Sequence, residues 1–123
     1  GEITPDLTFQ LTENQVRQLP IETIFEAMPP RLNPEKANNK FIKVGFTMSD
    51  TGKKFGIIIR NNIAEIIQDI PLEPEIQVTV ETSTWKGIVL GITDAKQAIA
   101  SGKLAVSGNY IKFIQFSTMF DKD

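Results

Sequence analysis

An α+β fold is what the sequence predicts: an antiparallel, meander-containing sheet of about five strands, covered on one face by helices. Two observations predict it. Apolar residues recur with period two between Lys40 and Val80, and with a helical period before and after that span. The resulting order of helix, helix, strands, helix, helix, strand, helix lacks the regular alternation of a doubly wound parallel sheet. The size agrees, since 123 residues that are 41% hydrophobic and 23% charged suit one domain spanning 1–123, long enough to bury roughly two-thirds of its unfolded surface. Residues 1–11 show no firm period and are read as a tag scar, a linker or a poorly ordered lead-in. The opening Gly1, in place of Met, points to a piece excised from a larger parent.

Thr12 with Gln15 resembles a capping box that opens a short helix and brings Val16 and Leu19 to one side. Pro20 suits a first helical position, and Ile21, Ile24, Phe25 and Met28 follow at i, i+3, i+4 and i+7, which predicts a helix over 20–28 ended by Pro29 and Pro30. Arg31 to Asn39 is a polar connection with one helical turn at 34–38. Ile42, Val44, Phe46 and Met48 then alternate with Lys43, Gly45 and Thr47 as a half-buried strand. Ser49 to Gly52 form a turn, Phe55, Ile57 and Ile59 resume the alternation, and Asn61-Asn62, which tolerate left-handed backbone, turn the chain into a third strand at 63–67. After the loop around Pro71 and Pro74, Ile76, Val78 and Val80 alternate with Gln77, Thr79 and Glu81 as a fourth strand with a wet outer side.

The last third is helical again. Thr82 or Ser83 is the expected cap of a helix with Trp85, Ile88, Val89 and Ile92 on one face and Gly91 near its end. Asp94 caps a helix that turns Ala95, Ala98 and Ile99 inward and stops at Gly102, before a short strand at Leu104 and Val106 closed by Gly108. Asn109 caps the final helix. Tyr110, Ile111, Phe113, Ile114, Phe116, Met119 and Phe120 make a wide apolar face that leaves a polar stripe at Lys112, Gln115, Thr118 and Lys122.

Composition narrows the chemistry. The chain has no cysteine and no histidine, the residues that most often bind zinc, attack carbonyls as thiolates or shuttle protons near neutrality. With 13 basic against 15 acidic residues, nothing supplies the positive field that nucleic acid demands. No apolar run is long enough to span a membrane and no charged, then apolar, then small-residue signal opens the chain, and the absence of cysteine fits cytoplasm and periplasm alike. Glu73 and Glu75 read as a solvated loop pair, Asp50-Thr51-Gly52 as a hairpin turn, and Gly102 with Gly108 as structural punctuation, so neither a metal nor any other cofactor is expected in this domain. No particular residue stands out as catalytic. A lone buried carboxylate tuned toward neutrality is the only route to an enzyme.

The run from Glu75 to Phe120 is more specific. An alternating strand EIQVTV, a helix DAKQAIASG, and Ser101, Gly102, Lys103, Leu104, Val106 and Gly108 in the pattern S-G-K-L-x-V-x-G before a last apolar helix resemble the sterol carrier protein type two fold. The front, with LPIETIFEAMPPRLNPEKANNK followed by FTMSDTGKKFGIIIRNNIAEI, resembles the C-terminal domain of bacterial alkyl sulfatases of the metallo-β-lactamase type. Pro29-Pro30 departs from that pattern, where relatives continue the helix. The resemblance implies a parent that is a zinc-dependent alkyl sulfatase, with zinc only in a separate catalytic domain, a further domain for dimerisation, and a non-catalytic C-terminal domain that gathers or orients the alkyl tail of the substrate. The expected ligand is a fatty acyl or alkyl chain, or an alkyl sulfate. An apolar cavity between sheet and helices would be lined by Trp85, Ile88, Val89, Phe113, Phe116 and Phe120, with Phe46, Ile57 and Val78 as its floor, because their spacing puts each set on one face. The alternative is an interaction or dimerisation module that docks through the apolar C-terminal helix and holds no ligand.

Overall fold

The computed structural model describes residues 13–120. Its elements, in order, are α1 (Glu13–Gln18), α2 (Ile21–Glu26), a 3-10 turn at Pro29–Arg31, β1 (Ile42–Met48), β2 (Lys54–Arg60), β3 (Ile63–Ile67), β4 (Ile76–Val80), α3 (Thr82–Val89), α4 (Ala95–Ala100), β5 (Leu104–Gly108) and α5 (Tyr110–Thr118). The expected capping box at Thr12, the position of the Val16 side chain and the stripe residue Lys122 lie outside what is described.

The five strands fall where their alternation places them, but the sheet is mixed rather than antiparallel. Its order is β3-β2-β1-β4-β5. The β1–β2, β2–β3 and β4–β5 pairs are antiparallel, whereas β4 runs parallel to β1 with Val44 opposite Ile76 and Phe46 opposite Val78. A parallel neighbour cannot be reached through a tight turn. The chain must leave the edge strand β3, cross β2 and β1, and re-enter on the far side.

Residues 68–75 make that crossing on the outer face, and two glycines open the path. Gly45 in β1 and Gly56 in β2 are register partners, and both alternate with inward-facing residues. A Cβ on Gly45 would sit 2.8 Å from Ile70 Cγ2, and one on Gly56 would sit 2.7 Å from both the Asp69 carbonyl oxygen and Pro71 Cδ. Glycine in a strand interior often marks such a close approach. Lys43 fastens the crossing from below: its Nζ donates to the Leu72 carbonyl at 2.5 Å, and its own carbonyl accepts from the Glu75 N–H at 3.0 Å. The outer side of the sheet is therefore roofed at Ile70 and the buried Pro71, and wet at Gln77 and Thr79.

The inner face carries the core. Val44, Phe46, Met48, Ile57, Ile59, Ile76, Val78, Val80 and Leu104 are all at most 1% exposed. Ile24, Phe25 and Met28 from the front, and Trp85, Phe113, Phe116 and Met119 from the back, cover them as buried members of the same cluster. Lys86, the charged side chain buried among the described residues, donates from Nζ to the Arg17 carbonyl at 3.0 Å and so satisfies the C-terminal end of α1.

Helix ends follow the expected chemistry with three corrections. Asp94 accepts from the Lys96 N–H and Asn109 from the Lys112 N–H, as the caps of α4 and α5. Asn61 and Asn62 hold φ of 54° and 65°, the left-handed pair that a tight hairpin requires. Neither Thr82 nor Ser83 caps α3. The cap position is Glu81, with no side-chain cap bond, and Asp50 from the β1–β2 turn acts instead, with Oδ1 accepting from the Thr82 N–H at 3.0 Å and the Thr82 hydroxyl at 2.8 Å. The helix expected over 20–28 is shorter, since Pro20 takes the cap position and the backbone tightens into the 3-10 turn at Pro29. Lastly, the apolar face of α5 is narrower than its composition suggests. Tyr110 and Ile111 are 48% and 69% exposed; at about 100° per residue Ile111 faces away from the buried Phe113 and Phe116.

Replacing Gly56 with Ala forces a methyl against the crossing backbone, and the expected result is a destabilisation of about 1–3 kcal/mol. Urea denaturation checks it, with a lowered midpoint and an unchanged slope.

Candidate functional site

The elements around α3 leave a gap on the helical side of the molecule. α3 supplies Trp85, Ile88 and Val89 to one wall. Gly91 then turns the chain with φ of 79°, and Ile92 and Thr93 fold back so that both of their N–H groups donate to the Gly87 carbonyl, at 2.8 and 3.0 Å. Gly87 must lack a side chain here, because a Cβ would lie 2.5 Å from Thr93 Oγ1. The turn puts Thr93 and Asp94 at the rim and Ala95, the first residue of α4, below them. α5 forms the opposite wall with Phe116 and Ser117, continued by Phe120 in the turn that follows it.

The third side comes from the segment after α2. The Asn33 N–H donates to the Met119 carbonyl at 2.8 Å, which draws that segment against the end of α5 and brings Met28 and Arg31 to the gap. Arg31 donates from Nη1 to the Val89 carbonyl at 2.5 Å, satisfying an acceptor at the end of α3. The enclosed space is a half-open cleft of about 450 Å³, within the range of roughly 300–1,000 Å³ typical of small-molecule sites.

Aromatic packing makes the base of this cleft rigid. Trp85 lies 4.8 Å from Phe46 and 6.1 Å from Phe25 between ring centroids, and Phe116 lies 6.2 Å from Phe46 and 5.3 Å from Phe120. These are separations at which aromatic pairs attract beyond their burial. Trp85 is 2% exposed, and its buried indole Nε1 has no hydrogen-bond partner among the described residues. Leaving such a donor unpaired costs about 1–3 kcal/mol.

Of the residues expected to surround a cavity, Trp85, Ile88, Val89, Phe116 and Phe120 line the cleft. Phe113, Phe46, Ile57 and Val78 do not. All four are at most 1% exposed and fill the layer between sheet and helices, so the gap lies among the helices and the sheet is not its floor. Ile92, expected on the α3 face, follows the end of that helix and is 57% exposed at the mouth. Sequence reasoning missed Met28, Arg31, Thr93, Asp94, Ala95 and Ser117. The available signal was Gly87 followed by Gly91, which marks a helix that ends in a fold-back. Among the described residues no three His, Cys, Asp or Glu side chains gather as a metal site, no carboxylate is buried, and no helix is long and apolar enough to cross a membrane.

Residues 10–123 match the family described as alkyl sulfatase C-terminal. The chain belongs to that family. Among curated relatives, it is 20% identical over 111 residues to a linear primary-alkylsulfatase of Pseudomonas sp., an alignment that covers 90% of this chain and 21% of the relative. Among solved structures, it superposes on the stereoselective inverting sec-alkylsulfatase Pisa1 of Pseudomonas sp. with a TM-score of 0.76 at 19% identity, covering 84% of this chain and 16% of the other. It also superposes on palmitated SCP2L2 of Aedes aegypti with a TM-score of 0.63 at 16% identity, covering 83% of this chain and 95% of the other. The chain thus corresponds to the C-terminal part of alkylsulfatases, spans about a fifth of the curated relative's length, and has a sterol carrier protein-like fold, with a mixed sheet in place of the expected antiparallel one.

Asp50 fixes the start of α3, and with it the Trp85 wall. The Thr82 N–H, and then the Thr82 hydroxyl, hold its carboxyl below the ordinary carboxylate value. A lowered folded-state pKa contributes stability that is present above the ordinary value near 4 and is lost as pH falls through the folded one. Asp50→Ala is expected to lower the melting temperature at pH 7 and to flatten its decline as pH falls below about 4, which a calorimetric pH series checks.

Proposed function

We propose that this domain binds the hydrocarbon portion of an amphiphile, and that it gathers or orients the alkyl tail of the substrate without itself catalysing hydrolysis. The observation that carries this reading is the half-open cleft walled by Trp85, Ile88, Val89, Phe116 and Phe120. The family supports it, since matched relatives are named for action on alkyl sulfates. A protein of the same fold bearing palmitate supports it independently. In this reading the parent is a zinc-dependent alkyl sulfatase whose metal resides in a separate catalytic domain, and that domain and a dimerisation domain are the partners of this one.

The energetics suffice without polar contacts. Each buried methylene is worth about 0.8 kcal/mol, so a twelve-carbon tail offers roughly 9 kcal/mol gross before ordering costs. Selectivity then follows chain length: 0.8 kcal/mol corresponds to roughly fourfold in affinity per methylene.

One observation favours a second reading. Ile111 and Tyr110 stay exposed on α5, as a face for docking on another domain or a second copy would. Displacement of a fluorescent fatty-acid probe by alkyl sulfates of six to twelve carbons separates the two. Affinity that climbs by about fifteenfold with each added methylene pair is expected. Absence of displacement at every length, together with a dimer by light scattering that Ile111→Glu dissociates, would establish the docking module instead.

A further inference from the structure

We propose that the groove between the 34–41 connection and the β2–β3 turn is a docking site for an extended acidic segment of a protein partner, with Lys40 and Arg60 receiving its carboxylates and asparagine amides meeting its backbone. The groove shares no lining residue with the cleft and is independent of the alkyl-binding reading.

Two adjoining recesses make up the groove. One, of about 430 Å³, is lined by Asn39, Lys40, Phe41, Arg60, Asn61 and Asn62. The other, of about 270 Å³, continues past Asn62 to Pro34, Glu35 and Asn38. Strand register supplies an apolar margin. Ile42 stands opposite Ile59 and Arg60 opposite Ile63, so Phe41, Arg60 and Ile63 follow one another in a row across three strands on the outer side of the sheet. Arg60 thus stands between two large apolar side chains that are 57% and 63% exposed. Lys43 Nζ lies 5.9 Å from the Phe41 ring centroid and steadies that ring.

Charge at the groove is one-sided. Lys40 and Arg60 line the larger recess and no carboxylate does. Lys40 has no ion pair among the described residues. Arg60 keeps a loose one, 3.9 Å from Glu65 with both side chains more than half exposed, a kind that contributes little. Glu35 lines the smaller recess, so a partner's acidic groups belong at the Lys40 end. The amides add a second complement. Asn39, Asn61 and Asn62 hold left-handed φ of 61°, 54° and 65°, a conformation glycine would supply equally well. Asparagine leaves a side-chain amide at each, and with Asn38 four amides line the groove. None of the four has a hydrogen-bond partner among the described residues. An amide both donates and accepts, as the backbone of an extended peptide does. Nucleic acid would meet only two lining cations on a chain of formal net charge −2.

The test is a titration of the isotope-labelled full chain at pH 7 with a capped hexapeptide alternating Glu and Leu, followed by the amide resonances. Shifts are expected at Lys40, Phe41 and Arg60 to Asn62, with the Trp85 indole resonance unmoved. The same peptide with Gln in place of Glu should bind at least about tenfold more weakly, and Lys40→Gln with Arg60→Gln should remove the difference between the two peptides. Asn62→Gly keeps the left-handed turn and removes one amide; a loss of about threefold is expected for both peptides, at an unchanged melting temperature. Raised ionic strength should weaken the Glu peptide alone. Equal affinity for the two peptides, shifts gathered around Trp85, or no binding of either would overturn the proposal. Capture of the chain by phosphatidylglycerol vesicles that ignores the peptide and is lost in Arg60→Gln would overturn it too, by assigning this surface to a bilayer.

Discussion

Phe46 is the contact on which the arrangement of helices depends. It sits at the centre of the sheet's inner face, fully buried, with its ring 5.2 Å from Phe25 of α2, 4.8 Å from Trp85 of α3 and 6.2 Å from Phe116 of α5. Three helices that otherwise share few contacts thus take their positions from one side chain. Two of the three rings then continue outward as cleft walls, so the order of the core passes directly into the shape of the site. The wall is stiff because it is the outer surface of a close-packed aromatic layer.

Peripheral bonds complete that positioning. The β1–β2 turn holds α3 through Asp50 and α2 through the Lys53–Glu22 ion pair at 2.8 Å. Lys112 pairs with Glu75 and ties α5 to the start of β4. These exposed ion pairs contribute little energy individually. Their effect is geometric, since each joins a helix to a particular point on the sheet.

The period-two and period-3.6 patterns made the element order legible, because one face of nearly every element is buried against the same core. Asn61-Asn62, Asp94 and Asn109 were legible for the same reason: their backbone and capping chemistry is local. What was not legible is non-local. The parallel β1–β4 ladder depends on a crossing whose eight residues look like an ordinary proline-rich loop, and its only trace in the sequence is a glycine in each of two adjacent strands. Asp50 caps a helix that begins thirty-two residues later, beyond any capping pattern. Two walls of the cleft were legible as helical faces, Trp85, Ile88 and Val89 on one and Phe116 and Phe120 on the other. Arg31 was not, because a lone arginine between prolines in a polar connection gives no sign that Asn33 will anchor that segment to Met119.

The parallel β1–β4 ladder also divides the fold into local and non-local contacts. β1, β2 and β3 are joined by tight turns and close with little loss of chain entropy, whereas the pairing of Val44 with Ile76 closes a loop that contains both hairpins and the crossing. Everything that walls the cleft from the carboxyl half hangs on that single ladder. The meander is thus the local part of the fold and the recess the non-local part, since the greasy rings of α3 and α5 find their shelter only across that ladder.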